Sequence, residues 1–111
     1  MEITTGYNFE GYEIKEYIDV ISEAVVLGTG FASSISASFA DFAGSKSGMY
    51  ADKLQNAKDM ALRGLKTRAS RMGANAIIGI DIDYTTFSND IMGVVANGTA
   101  VYIVPKKKDI E

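Results

Sequence analysis

The stretch Gly73-Ala74-Asn75-Ala76-Ile77-Ile78-Gly79-Ile80-Asp81-Ile82-Asp83-Tyr84-Thr85 decides the architecture. It opens on a helix stop, because glycine suits the left-handed position just past a helix C-terminus. It then becomes a strand. From Ala76 the period is two, with Ile78, Ile80, Ile82 and Tyr84 predicted on one face and Asp81, Asp83 and Thr85 on the other. A helix-to-strand junction of this kind fixes where one layer ends and the next begins.

Before the junction, Tyr50, Leu54, Ala57, Ala61, Leu65, Ala69 and Met72 recur at steps of three and four, with Leu62 beside them. That spacing predicts a long helix over 48–72 with Ser47 as its N-cap. Its alanines imply close approach to whatever lies beneath. An earlier stripe, Phe31, Ile35, Phe39 and Phe42, predicts a first helix that Gly44 ends. Residues 12–28 are rich in β-branched side chains, but the alternation changes phase around Val20-Ile21-Ser22. We read there either one long strand with a bulge or bend near Ser22, or two strands in sequence. Residues 3–7 form a short extended lead-in.

After the junction, Phe87-Ser88-Asn89-Asp90 reads as a turn and 91–104 as the last β segment, ended by Pro105. Asn97-Gly98 inside that segment fits either a hairpin turn or a glycine kink. The order strand, helix, helix, strand, strand predicts a two-layer α+β domain with an antiparallel sheet and its helices on one face. We expect one domain over 1–105 and a flexible charged tail over 106–111. In the last strand Val95, Val101 and Ile103 alternate against Val94, Ala100 and Val104, so both faces are apolar. One helical layer covers only one of them, and a second subunit is the expected cover for the other.

Composition restricts the chemistry. The 111 residues contain neither cysteine nor histidine. Disulfides, thiolate nucleophiles, His-based triads and the usual structural zinc sites are therefore excluded. The start Met1-Glu2-Ile3-Thr4-Thr5 lacks the basic and apolar regions of a signal peptide, and no run reaches the roughly 18 apolar residues of a membrane span. A cytoplasmic location without membrane partners is the expectation. The net charge of −3 conceals an uneven distribution. Residues 1–44 hold seven acids and one base, Lys15, whereas 45–76 hold seven bases and two acids. We read the basic helix as a solvated face complementing acidic strands of its own or a neighbouring chain. Overall acidity argues against a nucleic-acid binder.

Two glycine-rich stretches fail as nucleotide motifs. Gly28-Thr29-Gly30-Phe31-Ala32-Ser33 has serine in place of the third glycine of a dinucleotide loop. Gly44-Ser45-Lys46-Ser47-Gly48 lacks the glycine spacing of a phosphate loop. Asp81 and Asp83, with Asp90 near them in the chain, are candidate ligands for a divalent metal. Without Cys or His, such a metal would be a hard cation such as Mg²⁺, Mn²⁺ or Ca²⁺. The same carboxylates define the enzymatic alternative, cation-assisted chemistry at Asp81 and Asp83. A further alternative is an interaction protein whose basic helix meets an acidic partner or RNA.

Thr4-Thr5, Gly11-Tyr12-Glu13-Ile14, Glu23-Ala24-Val25-Val26-Leu27-Gly28, Ser47-Gly48-Met49-Tyr50, the Gly73–Asp81 stretch and Gly98-Thr99-Ala100-Val101 together resemble the YbjQ family of small bacterial proteins. The resemblance covers nearly the whole chain. It implies a dodecin-like β-α-β-β subunit in a homopentameric ring, and no established activity. Members are often described as heavy-metal-binding. A ring would bring copies of one loop together, and on the resemblance Ser47, Gly48, Tyr50 and Asn75 are the candidate ligand-binding residues at the subunit interface. The resulting expectation is an oligomeric module, holding a small ligand or metal ion or acting as a scaffold, rather than an enzyme.

Overall fold

A computed structural model describes residues 1–27, 45–88 and 91–107. Strands β1 (Glu2–Ile3), β2 (Tyr12–Leu27), β3 (Ala76–Ser88) and β4 (Ile91–Pro105) accompany one described helix, α1 (Ser45–Arg71). They form a mixed α+β structure with a single four-stranded sheet in the order β1-β3-β4-β2. The stripe that predicted an earlier helix at Phe31–Phe42 lies outside the described residues.

Close packing gathers the chain into two units. One comprises Met1–Ser22, Gly64–Asp81 and Asn97–Glu111, the other Glu23–Arg63 and Ile82–Ala96. The long strands and the helix each contribute to both.

β3 and β4 are separated by two residues, a link that only antiparallel neighbours allow. β2 begins where β4 ends, since the Lys106 amide donates to the Gly11 carbonyl at 2.9 Å. These neighbours therefore also run in opposite directions. The expected antiparallel sheet has one exception at its margin. β1 lies parallel to β3, with Glu2 opposite Ala76 and Ile3 opposite Ile77.

Helix α1 starts at Ser45, so Ser47 is inside its first turn and is not the N-cap. The buried stripe follows the predicted spacing. Ala57, Ala61, Leu65 and Ala69 are all buried, whereas Met72 lies past the helix end and is exposed. Arg68 and Arg71 in the last turn complement the negative end of the helix dipole. The Ala74 amide bonds the Ala69 carbonyl and the Gly73 amide bonds that of Ser70, each at 3.1 Å, a Schellman closure around Gly73. β3 follows directly and extends through Ser88, so the turn read at residues 87–90 begins no earlier than Asn89.

The first unit covers one sheet face with its own chain. Ala76, Ile78, Val101 and Ile103 form a buried cluster, and Phe9 and Ile14 pack against it. The N-terminal segment bends across that face, because Gly11 at φ 83° reverses the chain before β2.

One assignment of faces is also corrected. Ile78 belongs to the cluster with Val101, yet Ile80 does not share its face. A Cβ on Gly98 would lie 2.6 Å from Cγ2 of Ile77 and 3.3 Å from Cγ1 of Ile80, so Ile77 and Ile80 point the same way. The cause is Gly79, at φ 62°. Its amide and that of Ile80 both donate to the Thr4–Gly6 segment, to Gly6 O at 2.7 Å and Thr4 O at 3.1 Å. Consecutive amides in a regular strand point to opposite sides. Two pointing the same way mark a one-residue bulge, which shifts the side-chain phase. An L-residue count of two cannot detect such a slip.

β2 also changes phase, near the predicted position. Ile14 and Ile18 are half-buried and Val20 exposed, whereas Ile21 is buried with Glu23, Val25 and Leu27 half-buried in its register. The shift falls where Asp19 Oδ1 accepts the Val20 amide at 2.8 Å, which satisfies that N–H locally. β2 is one continuous strand. β4 is likewise continuous through Asn97-Gly98, which excludes the hairpin reading. Gly98 is needed there because Ile77 and Ile80 fill the space that a side chain would occupy.

Candidate functional site

Three groups of residues were expected to carry a site. The first is Ser47, Gly48 and Tyr50, all within α1, on its first two turns. By residue type they offer a hydroxyl, a phenol and, at Gly48, a backbone without a side chain.

The second is Asn75, held at the junction of α1 and β3. Its side-chain amide imitates a strand residue. Nδ2 donates to Ile103 O at 2.9 Å, and Ile103 N donates to Oδ1 at 2.8 Å. The backbone is engaged too, with Asn75 N donating to Val101 O at 3.2 Å and Glu2 N donating to Asn75 O at 3.3 Å. Asn75 thus ties β4 to the β1–β3 edge, and its side chain extends the ladder one step before β3 begins. Both ends of the amide are committed to Ile103.

The third is the carboxylate set. Asp81 and Asp83 are both exposed on β3, Asp81 at the end of one packed unit and Asp83 in the other. Asp83 is already engaged by a polar interaction. Asp90 lies outside the described residues. Among the described residues, no three His, Cys, Asp or Glu side chains come together as a metal cage. Soft heavy metals take thiolate, imidazole or thioether ligands; the chain has neither thiolate nor imidazole, and its thioethers are those of five methionines.

A feature that counting residues did not single out is the outer side of β2. Among the described residues, the sheet order gives this strand of 16 residues a neighbour on one side only. It exposes Tyr17 at 68%, Val20 at 77% and Val26 at 58%. Edge strands are commonly blunted by proline, by glycine bulges or by several lysines. Residues 12–27 contain no proline or glycine and a single lysine, Lys15. The sequence signal was present as apolar residues in both phases of β2, but only the strand order makes it an edge.

With this geometry in hand, comparison with known proteins becomes informative. Residues 1–104 match the model of the YbjQ family, described as "Putative heavy-metal-binding". The chain belongs to this family. A "UPF0145 protein" of Carboxydothermus hydrogenoformans is 37% identical over 106 residues, spanning 96% of this chain and 99% of the relative. A Bacillus cereus protein of the same designation is 40% identical over 103 residues, covering 93% of this chain and all of its own, 100%. Among solved structures, a protein of unknown function of the DUF74 family from Pediococcus pentosaceus aligns with a TM-score of 0.61 at 22% identity. It covers 94% of this chain and 98% of that one, which supports the fold alone. No described helix is long and apolar enough to cross a membrane.

Proposed function

We propose that this YbjQ-family chain is the subunit of a cytoplasmic homo-oligomer that holds a small ligand or ion between subunits, or serves as a scaffold. One observation carries the reading. A 16-residue strand with one neighbour exposes Tyr17, Val20 and Val26, and soluble proteins do not ordinarily leave such an edge uncovered. The family resemblance supports a pentamer. Ser47, Gly48 and Tyr50, at the N-terminal end of α1, are the groups such an assembly would repeat around its axis, with Asn75, past the other end of the helix, a separate candidate. If a metal is the ligand, the chemistry favours a hard divalent cation on carboxylates such as Asp81, Asp83 and Asp90, gathered from more than one subunit.

Native mass spectrometry of untagged protein, before and after exchange into metal-free buffer, tests this. A pentamer carrying additional mass identifies the ligand directly. A bare pentamer that takes up neither Mg²⁺ nor Mn²⁺ leaves the scaffold role. A monomer at micromolar concentration removes the proposal.

A further inference from the structure

The assembly reading says that subunits meet, and a second surface of the chain indicates what meets β2. The helix α1 has an outer stripe opposite its buried one. Lys53, Asn56, Met60, Arg63 and Thr67 follow at steps of three and four, and all five are exposed. At its centre Met60 is 50% exposed, an unbranched apolar side chain of the kind that adapts to a contacting surface. Lys53 and Arg63 flank it. On β2 the arrangement has the same form with the opposite sign. Tyr17 and Val20 are exposed, and of the exposed acids Glu13 shares the Tyr17 side of the strand and Asp19 lies between Tyr17 and Val20 in sequence.

We infer that the outer stripe of α1 around Met60 docks on the Tyr17–Val20 segment of β2 in a second copy of this chain. Val20 and Tyr17 cover the methionine, and Lys53 and Arg63 meet the carboxylates of Glu13 and Asp19. Arg63 and Lys53 already have polar partners within their own subunit. Arginine has five donors and lysine three, so each can serve both. The occupant is a second copy because one chain carries both complementary halves. An acidic apolar strand and a basic apolar helix stripe on the same molecule recognise each other between molecules. Such a contact is head-to-tail, each subunit using two different surfaces, and it closes into a ring wherever the rotation between copies divides a full turn. It rests on the oligomeric reading above and adds which surfaces join.

Sedimentation velocity on Val20→Asp, Met60→Asp and their equimolar mixture tests it. Both positions are exposed, and circular dichroism verifies that each variant folds. Each aspartate places an unpaired carboxylate in the contact, and subunit affinity should fall about a hundredfold or more. Each variant alone should therefore run as a monomer. The mixture should yield a heterodimer, because Val20 of the Met60→Asp copy still meets Met60 of the Val20→Asp copy. An assembly that survives Met60→Asp overturns this inference while leaving the oligomer intact, and it would point to edge-to-edge strand pairing. A monomeric wild type overturns both. Should either aspartate unfold the subunit, the charge pair decides. Glu13→Lys or Arg63→Glu alone should dissociate the assembly and the double variant should restore it. Failure of the double variant to reassemble overturns the contact.

Discussion

The central strand β4 and the edge strand β2 are built from similar residues and meet opposite surroundings. In β4, Val94, Ala96, Ala100 and Val101 have no exposed surface, and Ile103 retains 5%. In β2, Val20 and Val26 keep 77% and 58% of theirs. The valine side chain has the same intrinsic transfer preference in both places. What differs is cover. Val101 and Ile103 pack with Phe9 and Ile14, whereas Val20 and Val26 face solvent, and among the described residues β2 has a strand on one flank only. Apolar content therefore identifies a strand, and what packs on each face determines whether that content forms core or interface.

The sharpest way to break this comparison is to place the same charge at both sites. Val101→Asp buries an unpaired carboxylate in the Ala76–Ile78–Ile103 cluster, and should cost about 4 kcal/mol or more. That is enough to unfold a domain of this size. Val20→Asp should leave the circular dichroism spectrum of the subunit unchanged. If both unfold equally, β2 is as integral to the subunit core as β4. The two sides of α1 allow the same contrast with milder changes. Leu65→Ala empties a fully buried site, and about 2–5 kcal/mol is expected from denaturant unfolding. Met60→Ala should change subunit stability by no more than about 0.5 kcal/mol.

A third variant examines the tight packing inside the central pair. Gly98→Ala forces a methyl into Ile77 and close to the Ile78 carbonyl, an overpacking that should cost about 1–3 kcal/mol. A neutral result would mean that β3 and β4 can separate locally without loss. A smaller effect than overpacking is expected at the strand junction. Asn75→Ala removes two hydrogen bonds and leaves the Ile103 amide and carbonyl without their side-chain partner, worth about 1–2 kcal/mol in thermal or urea unfolding. Asn75→Asp retains the acceptor for the Ile103 amide and sets a carboxylate oxygen against its carbonyl. It should be at least as destabilising as alanine.

The elements were legible wherever side-chain period reports directly on burial. The stripe Ala57, Ala61, Leu65, Ala69 reads from the spacing because a helix turns by the same angle at every residue. The Gly73 stop is equally local, since its hydrogen bonds reach no further than Ala69 and Ala74. Counting failed where the backbone inserted a residue. Nothing in Ile78-Gly79-Ile80 reveals that Gly79 adopts φ 62° and separates the two isoleucines onto different faces. The packing of Phe9 on the Val101–Ile103 cluster was not legible for another reason. Phe9 lies more than ninety residues from them in the chain, and no periodicity relates positions so far apart. The candidate site was legible only as residue types. The sequence placed Asn75 at a helix end, and the structure engaged its amide with Ile103.

By itself, the sequence determined the long helix and its buried side, the helix-to-strand junction at Gly73, the phase shift in β2 and the absence of thiolate and imidazole chemistry. Each follows from side-chain identity over a few turns or a few strand residues. Only the tertiary structure decided that β2 is an edge among the described strands, that β1 joins β3 in parallel, that Phe9 packs on the Val101–Ile103 cluster, and that Gly98 marks a close approach within one continuous strand. These depend on which distant segments become neighbours, a choice made by the summed burial of the whole chain.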